Sequence, residues 1–300
     1  MSDELVHKTT GLIGTGRMGI ALGERLLDLG ERLVVWNRSS ERAAGLIARG
    51  AVAAQSPADV ARQAAVSIVI VRDDNALIDV YQGPNGLVSE SLAGRTVVEM
   101  TTGSVSAIKR MATAVAECGG VFVDAPVSGT ITPARAGQLL VMAGGAPEAL
   151  EHARPLLEKL SRKIVHAGPV GSGMAMKLTL NLPLAIYWEA LGEALALGRA
   201  YGLDVPTLLS LIADSKAAVG ALASKLPVIL GETGRVEFDV AGMRKDLAAM
   251  LDSAAAVGIP LDAEEVAARS ASRAIEAGLG QRDLATVVRF IAGLEQRDTA

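Results

Sequence analysis

Thr10-Gly-Leu-Ile-Gly-Thr-Gly-Arg-Met-Gly19 decides the fold. Residues Thr10 to Ile13 read as a short strand, and Ile20, Leu22, Leu26, Leu27 and Leu29 follow at helical spacing up to Gly30. Gly14-Thr15-Gly16-Arg17-Met18-Gly19 is thus a GxGxxG turn between strand and helix. The first glycine permits the tight turn, the second lets a pyrophosphate approach the backbone, and the third lets helix pack on strand. The uncapped N–H groups at the helix start suit an anion. A second apolar strand, Leu33-Val34-Val35-Trp36, completes a dinucleotide-binding βαβ unit. The bland alternative is a glycine-rich turn that packs helix on sheet and holds no ligand.

Where an NAD-specific site would offer Asp or Glu to the adenosine ribose, this chain has Asn37-Arg38-Ser39. A carboxylate would repel a 2′-phosphate, whereas an arginine fork and two neutral polar side chains accept it, so the reading is NADP(H) over NAD(H). Otherwise Arg38 is a solvated residue leading into the next helix.

Alternation continues with a helix Glu41 to Arg49, a strand Ala51 to Ala53, a helix from Pro57 and the apolar strand Val66 to Val71, which suits the centre of a parallel sheet. Arg72-Asp73-Asp74-Asn75 follows at that strand's carboxyl end, its acids expected to cap the next helix rather than to bind metal. Strand Thr96 to Met100 runs into Thr101-Thr102-Gly103-Ser104, whose hydroxyls either face a nicotinamide or cap the following helix, Ser104 doing the latter. Strand Val121 to Val123 leads into Asp124-Ala125-Pro126-Val127-Ser128-Gly129-Thr130, expected to be a rigid loop whose hydroxyl and N–H groups converge on a carboxylate. Strand Gln138 to Ala143, helix Pro147 to Leu160 and strand Lys163 to His166 finish the sheet. His7, His152 and His166 have no partner at catalytic or metal spacing.

Beyond Gly168-Pro169 strand signals stop. Gly171-Ser-Gly-Met-Ala-Met-Lys-Leu-Thr-Leu-Asn181 opens a long helix reaching Ala200, on which Lys177 and Asn181 project from one face. Pro183 is expected to kink it. Further helices begin near Asp204-Pro206 and Ala241, and Asp262 and Asp283 resemble caps. In the helix after Ala241, Met243, Leu247, Met250, Leu251 and Ala254 form the core stripe, with Lys245 and Asp246 off its centre. The expected fold class is α/β: a Rossmann doubly wound domain over 1–169, then a long bridging helix and an all-α domain within 170–300.

Half of the 300 residues are apolar and only 3% aromatic, enough for two cores built from aliphatic side chains. The formal charge of -4 lacks the basic footprint of a nucleic-acid binder. No apolar run approaches the ~20 residues of a spanning helix, and Met1 to Thr10 is too polar for a signal peptide. With one cysteine, Cys118, the composition fits a reducing cytoplasm, which is the expected location.

Together these motifs resemble the β-hydroxyacid dehydrogenases, the group of 3-hydroxyisobutyrate dehydrogenase and the glyoxylate/succinic semialdehyde reductases, over nearly the whole length. The resemblance rests on Gly11 to Gly19, Asp124 to Gly129, Gly171-Ser-Gly with Lys177 and Asn181, and Lys245-Asp246. It implies Lys177 as catalytic acid/base, Ser128 and Gly129 as the hold on a substrate carboxylate, Asn181 as the orienting amide and Lys245 near the closed site. Gly14, Gly16, Arg17, Met18, Gly19, Asn37, Arg38, Ser39, Thr102 and Lys245 would then bind the cofactor. It also implies a 6-phosphogluconate dehydrogenase-like helical domain that pairs with its twin, giving a homodimer. Thr130 stands where the family commonly has a second glycine. A lysine in a desolvated cleft would have its pKa lowered toward working pH, and its ammonium would stabilise and then protonate the oxygen that receives hydride. Imine reductases, which share fold and cofactor site, generally replace that lysine; Lys177 therefore favours carbonyl reduction over C=N reduction. A non-catalytic NADPH-binding dimer is the remaining alternative, with the helical domain as a partner surface.

Overall fold

The computed structural model describes residues 9–295, so His7 lies outside the described residues. The first half alternates as the apolar pattern predicts: β1 (Thr9–Ile13), α1 (Arg17–Asp28), β2 (Arg32–Trp36), α2 (Ala44–Ala48), β3 (Val52–Ala53), α3 (Pro57–Gln63), β4 (Val66–Val69), α4 (Asp74–Gln82), β5 (Thr96–Glu99), α5 (Val105–Glu117) and β6 (Val121–Asp124). Then come β7 (Val127–Ser128), α6 (Ile131–Arg135), β8 (Leu139–Gly144), α7 (Pro147–Leu160) and β9 (Ser161–Gly168). The sheet runs β3-β2-β1-β4-β5-β6-β8-β7, with β9 on β8. The first six strands are parallel, in the order of a dinucleotide-binding fold. β8 runs antiparallel to β6 and β7. Leu12, Leu22, Leu26, Ile68, Val98 and Val123 build the core between sheet and helices, and each buried aliphatic side chain contributes roughly 1.5–3 kcal/mol.

From there the chain is helical: α8 (Ser172–Ala200), α9 (Val205–Asp214), α10 (Leu222–Ile229), α11 (Val240–Ala255), α12 (Asp262–Ala274) and α13 (Thr286–Ile291). Trp188, Leu195, Leu209, Leu247, Ala271 and Val287 form a second core. Residue contacts divide the chain into two compact units, Met1–Lys177 and Leu178–Ala300, with the boundary inside α8. No helix among the described residues is long and apolar enough to cross a membrane.

Several local expectations are corrected. Glu41 to Arg49 is not one helix but a 3-10 turn, Ser40–Ala43, followed by α2. Asp124 to Thr130 is not wholly a loop, because Val127 and Ser128 pair with Val141 and Leu140. Pro183, where a kink is expected, lies inside α8 and removes one of its ladder bonds. Asp262 lies in the first turn of α12 instead of capping it. Asp283 does more than cap: Oδ1 accepts the Ala285 N–H at 3.1 Å just before α13, while Oδ2, buried, accepts the Lys225 ammonium at 2.8 Å and the Glu237 N–H at 3.0 Å, which makes it the centre of an ion cluster. Asp246 sits on the buried stripe of α11 with Met243, Leu247 and Met250, as i, i+3, i+4, i+7 spacing from Met243 requires. α10 was not anticipated: Pro227 lies inside it, and an internal proline argues against a helix.

Candidate active site

At the Gly-rich turn, Gly14 has φ +100°, and a Cβ there would stand 2.0 Å from the Ile70 carbonyl oxygen, so no other residue fits. A Cβ on Gly19 would meet the Gly14 carbonyl at the same 2.0 Å. Gly16 differs: a Cβ there would meet nothing within 4 Å. It caps α1 without a side-chain hydrogen bond, and the first turn has no acidic residue. The Thr15 hydroxyl is buried with no hydrogen-bond partner among the described residues. Open space at Gly16, a helix start without a side-chain cap and an unsatisfied buried hydroxyl fit the pyrophosphate of a dinucleotide. Arg17 is exposed and Met18 half-buried at the same helix start.

Asn37 accepts the Thr15 N–H at 2.9 Å and donates to the Ser39 carbonyl at 2.9 Å. Its amide therefore braces the turn against the end of β2. Arg38 is exposed, 3.6 Å from Asp79, in a surface pair of the kind that contributes little. Ser39 is half-buried beside them.

At the carboxyl ends of β4 and β5 the hydroxyls are already engaged. Thr101 accepts the Val71 N–H at 2.9 Å, and its own N–H donates to Glu99 at 2.7 Å. Glu99 is fully buried and also accepts the Tyr81 hydroxyl at 2.8 Å. Burial pushes its carboxyl up to about 7 despite those donors, with Asp124 on the next strand adding to the rise. The signal for Glu99 was a lone acid inside the apolar run Val97 to Met100, which sequence reading passed over. Thr102 is half-buried. Ser104 caps α5 through the Ala107 N–H at 3.2 Å and donates to Asp74 at 2.6 Å, while Asp73 caps α4. No group of three or more His, Cys, Asp or Glu that could hold a metal occurs among the described residues.

Ser128 is half-buried on β7, paired with Leu140. Gly129 is exposed, with φ +134°. Asp124, fully buried at the end of β6, accepts the Gly171 N–H at 3.0 Å and the Met174 N–H at 2.9 Å. Burial raises its carboxyl above the usual range, and the backbone donors oppose the rise. On α8, Met174, Lys177 and Leu178 form a buried stripe, Lys177 being only 8% exposed. A lysine held that deep can meet a reacting group with little competition from water. Asn181 follows one turn later, half-buried, in the second unit. Lys245, on α11 of that unit, is ion-paired with Asp246 at 2.6 Å. His166 ties the end of β9 to the Gly145 carbonyl at 2.9 Å, and His152 is exposed, so neither joins these groups.

Comparison with known proteins matches residues 9–168 to the NAD-binding domain of 6-phosphogluconate dehydrogenase. Residues 171–291 match the NAD-binding domain of NADP-dependent 3-hydroxyisobutyrate dehydrogenase. A probable mitochondrial 3-hydroxyisobutyrate dehydrogenase of Dictyostelium discoideum is 32% identical, over 95% of this chain and 91% of that protein. Among solved structures, 3-hydroxyisobutyrate dehydrogenase of Mycobacterium tuberculosis with L-serine is 26% identical, with a TM-score of 0.84 over 95% of this chain and 99% of that one. Psf3 in complex with NADP+ and 2-OPP is 27% identical, with a TM-score of 0.83 over 94% and 99%.

Proposed function

The chain belongs to the 3-hydroxyisobutyrate dehydrogenase family of NAD(P)-dependent oxidoreductases, and from that premise we propose that it uses NADPH to reduce a small carboxylated aldehyde or ketone, or forms that compound from the matching 3-hydroxy acid. The observation that carries this reading is the burial of Lys177 early in the helix that opens at Gly171-Ser-Gly. When bound, the nicotinamide supplies or accepts the hydride.

The chain's residues supply the rest. The helix-start N–H groups of α1, with Gly14, Gly16 and Gly19 leaving room, hold the pyrophosphate, and Thr15 offers its hydroxyl. Arg38 reaches the 2′-phosphate, helped by Ser39; Asn37 acts by holding the turn. Ser128 and the N–H of Gly129 take the substrate carboxylate. Lys177 donates a hydrogen bond to the substrate carbonyl oxygen, stabilises the charge that develops there and delivers the proton; in the reverse direction its neutral amine removes the hydroxyl proton. By motif, Asn181 orients the substrate and Lys245 keeps the family's role near the closed site; Thr102, just past the carboxyl end of β5, faces the nicotinamide by its place on the sheet.

The retained lysine favours C=O over C=N reduction, since an iminium already carries its proton. A homodimer accords with the family and with exposed apolar side chains on the helical unit, among them Leu197, Tyr201, Leu203 and Leu211.

The test is NADPH oxidation across glyoxylate, succinic semialdehyde and a set of cyclic imines, with NADH in parallel. Aldehydo acids should turn over, and Lys177→Ala should lower kcat by about 10²–10⁴-fold while leaving NADPH affinity unchanged. Turnover of imines only, or wild-type kcat in Lys177→Ala, would overturn the assignment.

A further inference from the structure

Most caps of this chain are local. Ser56, Ser104, Asp73, Asp204 and Asp239 each accept the N–H three residues on, as capping side chains ordinarily do. The start of α8 is held differently. Its acceptor is Asp124, on strand β6, 47 residues before Gly171 and 50 before Met174. One carboxylate oxygen takes each amide, so both are fixed at once.

The backbone closes tightly around the carboxylate. A Cβ on Gly144 would stand 2.3 Å from Asp124 Oδ1, and one on Gly173 would stand 2.9 Å from Oδ2 and 2.3 Å from the Met142 carbonyl oxygen. The glycines at 144 and 173 therefore let strand and helix close on this side chain. Burying a carboxylate is costly, and a neutral hydroxyl suffices where α3 and α5 begin. The burial here accomplishes something a local cap does not: it fastens one strand to one helix.

Both ends of that fastening lead into the proposed chemistry. Ser128 follows Asp124 by four residues on the strand side. Lys177 follows Met174 by three on the helix side, about 4.5 Å further along the axis. All of these residues belong to the first compact unit.

We propose that Asp124 is a positioning residue: by gripping the Gly171 and Met174 amides from the end of β6, it sets where Lys177 stands relative to the Ser128 loop. The proposal rests on Lys177 being the proton donor. Displacement of a reacting group by about 1 Å costs on the order of 10²-fold in rate, which is the scale of the expected effect.

The experiment uses Asp124→Asn, which keeps the shape but turns an NH₂ toward one of the two N–H groups. Asp124→Ser, smaller and without surplus donors, is the second variant. Three quantities are measured with NADPH and the aldehydo acid turned over fastest: kcat and KM, hydrogen exchange of the amides at 171–174, and kcat in the Lys177→Ala background. The expected result is kcat lowered roughly 10- to 100-fold, NADPH affinity unchanged, faster exchange at 171–174, and no further loss when either substitution is added to Lys177→Ala. Wild-type kcat despite faster exchange would overturn the proposal, and so would a loss that multiplies fully with that of Lys177→Ala. If Lys177→Ala itself keeps wild-type turnover, the proton-donor reading fails and the proposal with it; a dead Lys177→Ala beside a fully active Asp124→Asn sinks the proposal alone.

Discussion

In the proposed function one exposed side chain, Arg38, sets cofactor choice. Its ion pair with Asp79 is solvated on both sides and is released cheaply, so the guanidinium can turn to a 2′-phosphate. Arg38→Ala should weaken NADPH binding by roughly 10- to 100-fold, the scale of a charged hydrogen bond, and leave NADH nearly unaffected; equal losses in titrations with the two cofactors would refute the assignment. Glu99 calls for a different measurement. Its folded-state pKa, about 7, lies above the 4.5 of an ordinary glutamate, so folding favours its neutral form. Its contribution to stability is complete below pH 4.5 and is lost as pH rises through 7. In Glu99→Gln the amide oxygen keeps the Thr101 N–H while the NH₂ faces the Tyr81 hydroxyl, which turns to accept from it; the substitution should flatten that dependence, removing up to about 3 kcal/mol of the difference between pH 5 and pH 8 in denaturant melts. A slope unchanged from wild type would show that Glu99 does not titrate there. The tight turn at Gly14 and Gly19 was legible because glycine type and spacing between strand and helix are informative. Glu99 and the grip of Asp124 were not, because burial beside Tyr81, 18 residues away, sets the one and an approach across 47 and 50 residues sets the other.

At the scale of elements, the alternation of β1 to β6 with their helices could be read from apolar runs and turn residues. α7 was legible to its ends, Pro147 and Leu160. Elements whose signal is local and conflicting were not: α10 carries an internal proline, and β7 is two residues long. The turn before α1 separates ligand binding from folding. Gly16→Ala adds a methyl group where nothing lies within 4 Å, so thermal stability should stay within about 0.5 kcal/mol of wild type, while NADPH affinity falls as the methyl group takes the pyrophosphate's place. Calorimetric titration beside a thermal melt checks both. Retained NADPH affinity in a folded Gly16→Ala would move the phosphate away from this turn.

At the scale of the whole molecule, two cores of aliphatic side chains accord with a composition only 3% aromatic. The exposed Leu197, Tyr201 and Leu203 predict a dimer by light scattering, and Tyr201→Glu should shift it toward monomer without unfolding the chain; a wild-type monomer at micromolar concentration would contradict this. The chain has two tryptophans, and they fall one to each unit. Trp36 ends β2, half-buried beside the Asn37 brace, and Trp188 is enclosed in the helical core at 2% exposure. Each unit thus carries its own fluorophore, Trp188 emitting toward the blue and Trp36 further to the red. With Trp36→Phe and Trp188→Phe, the two halves can be watched melting in separate optical windows, and the Trp36 signal can report cofactor arrival by quenching before any substrate is known.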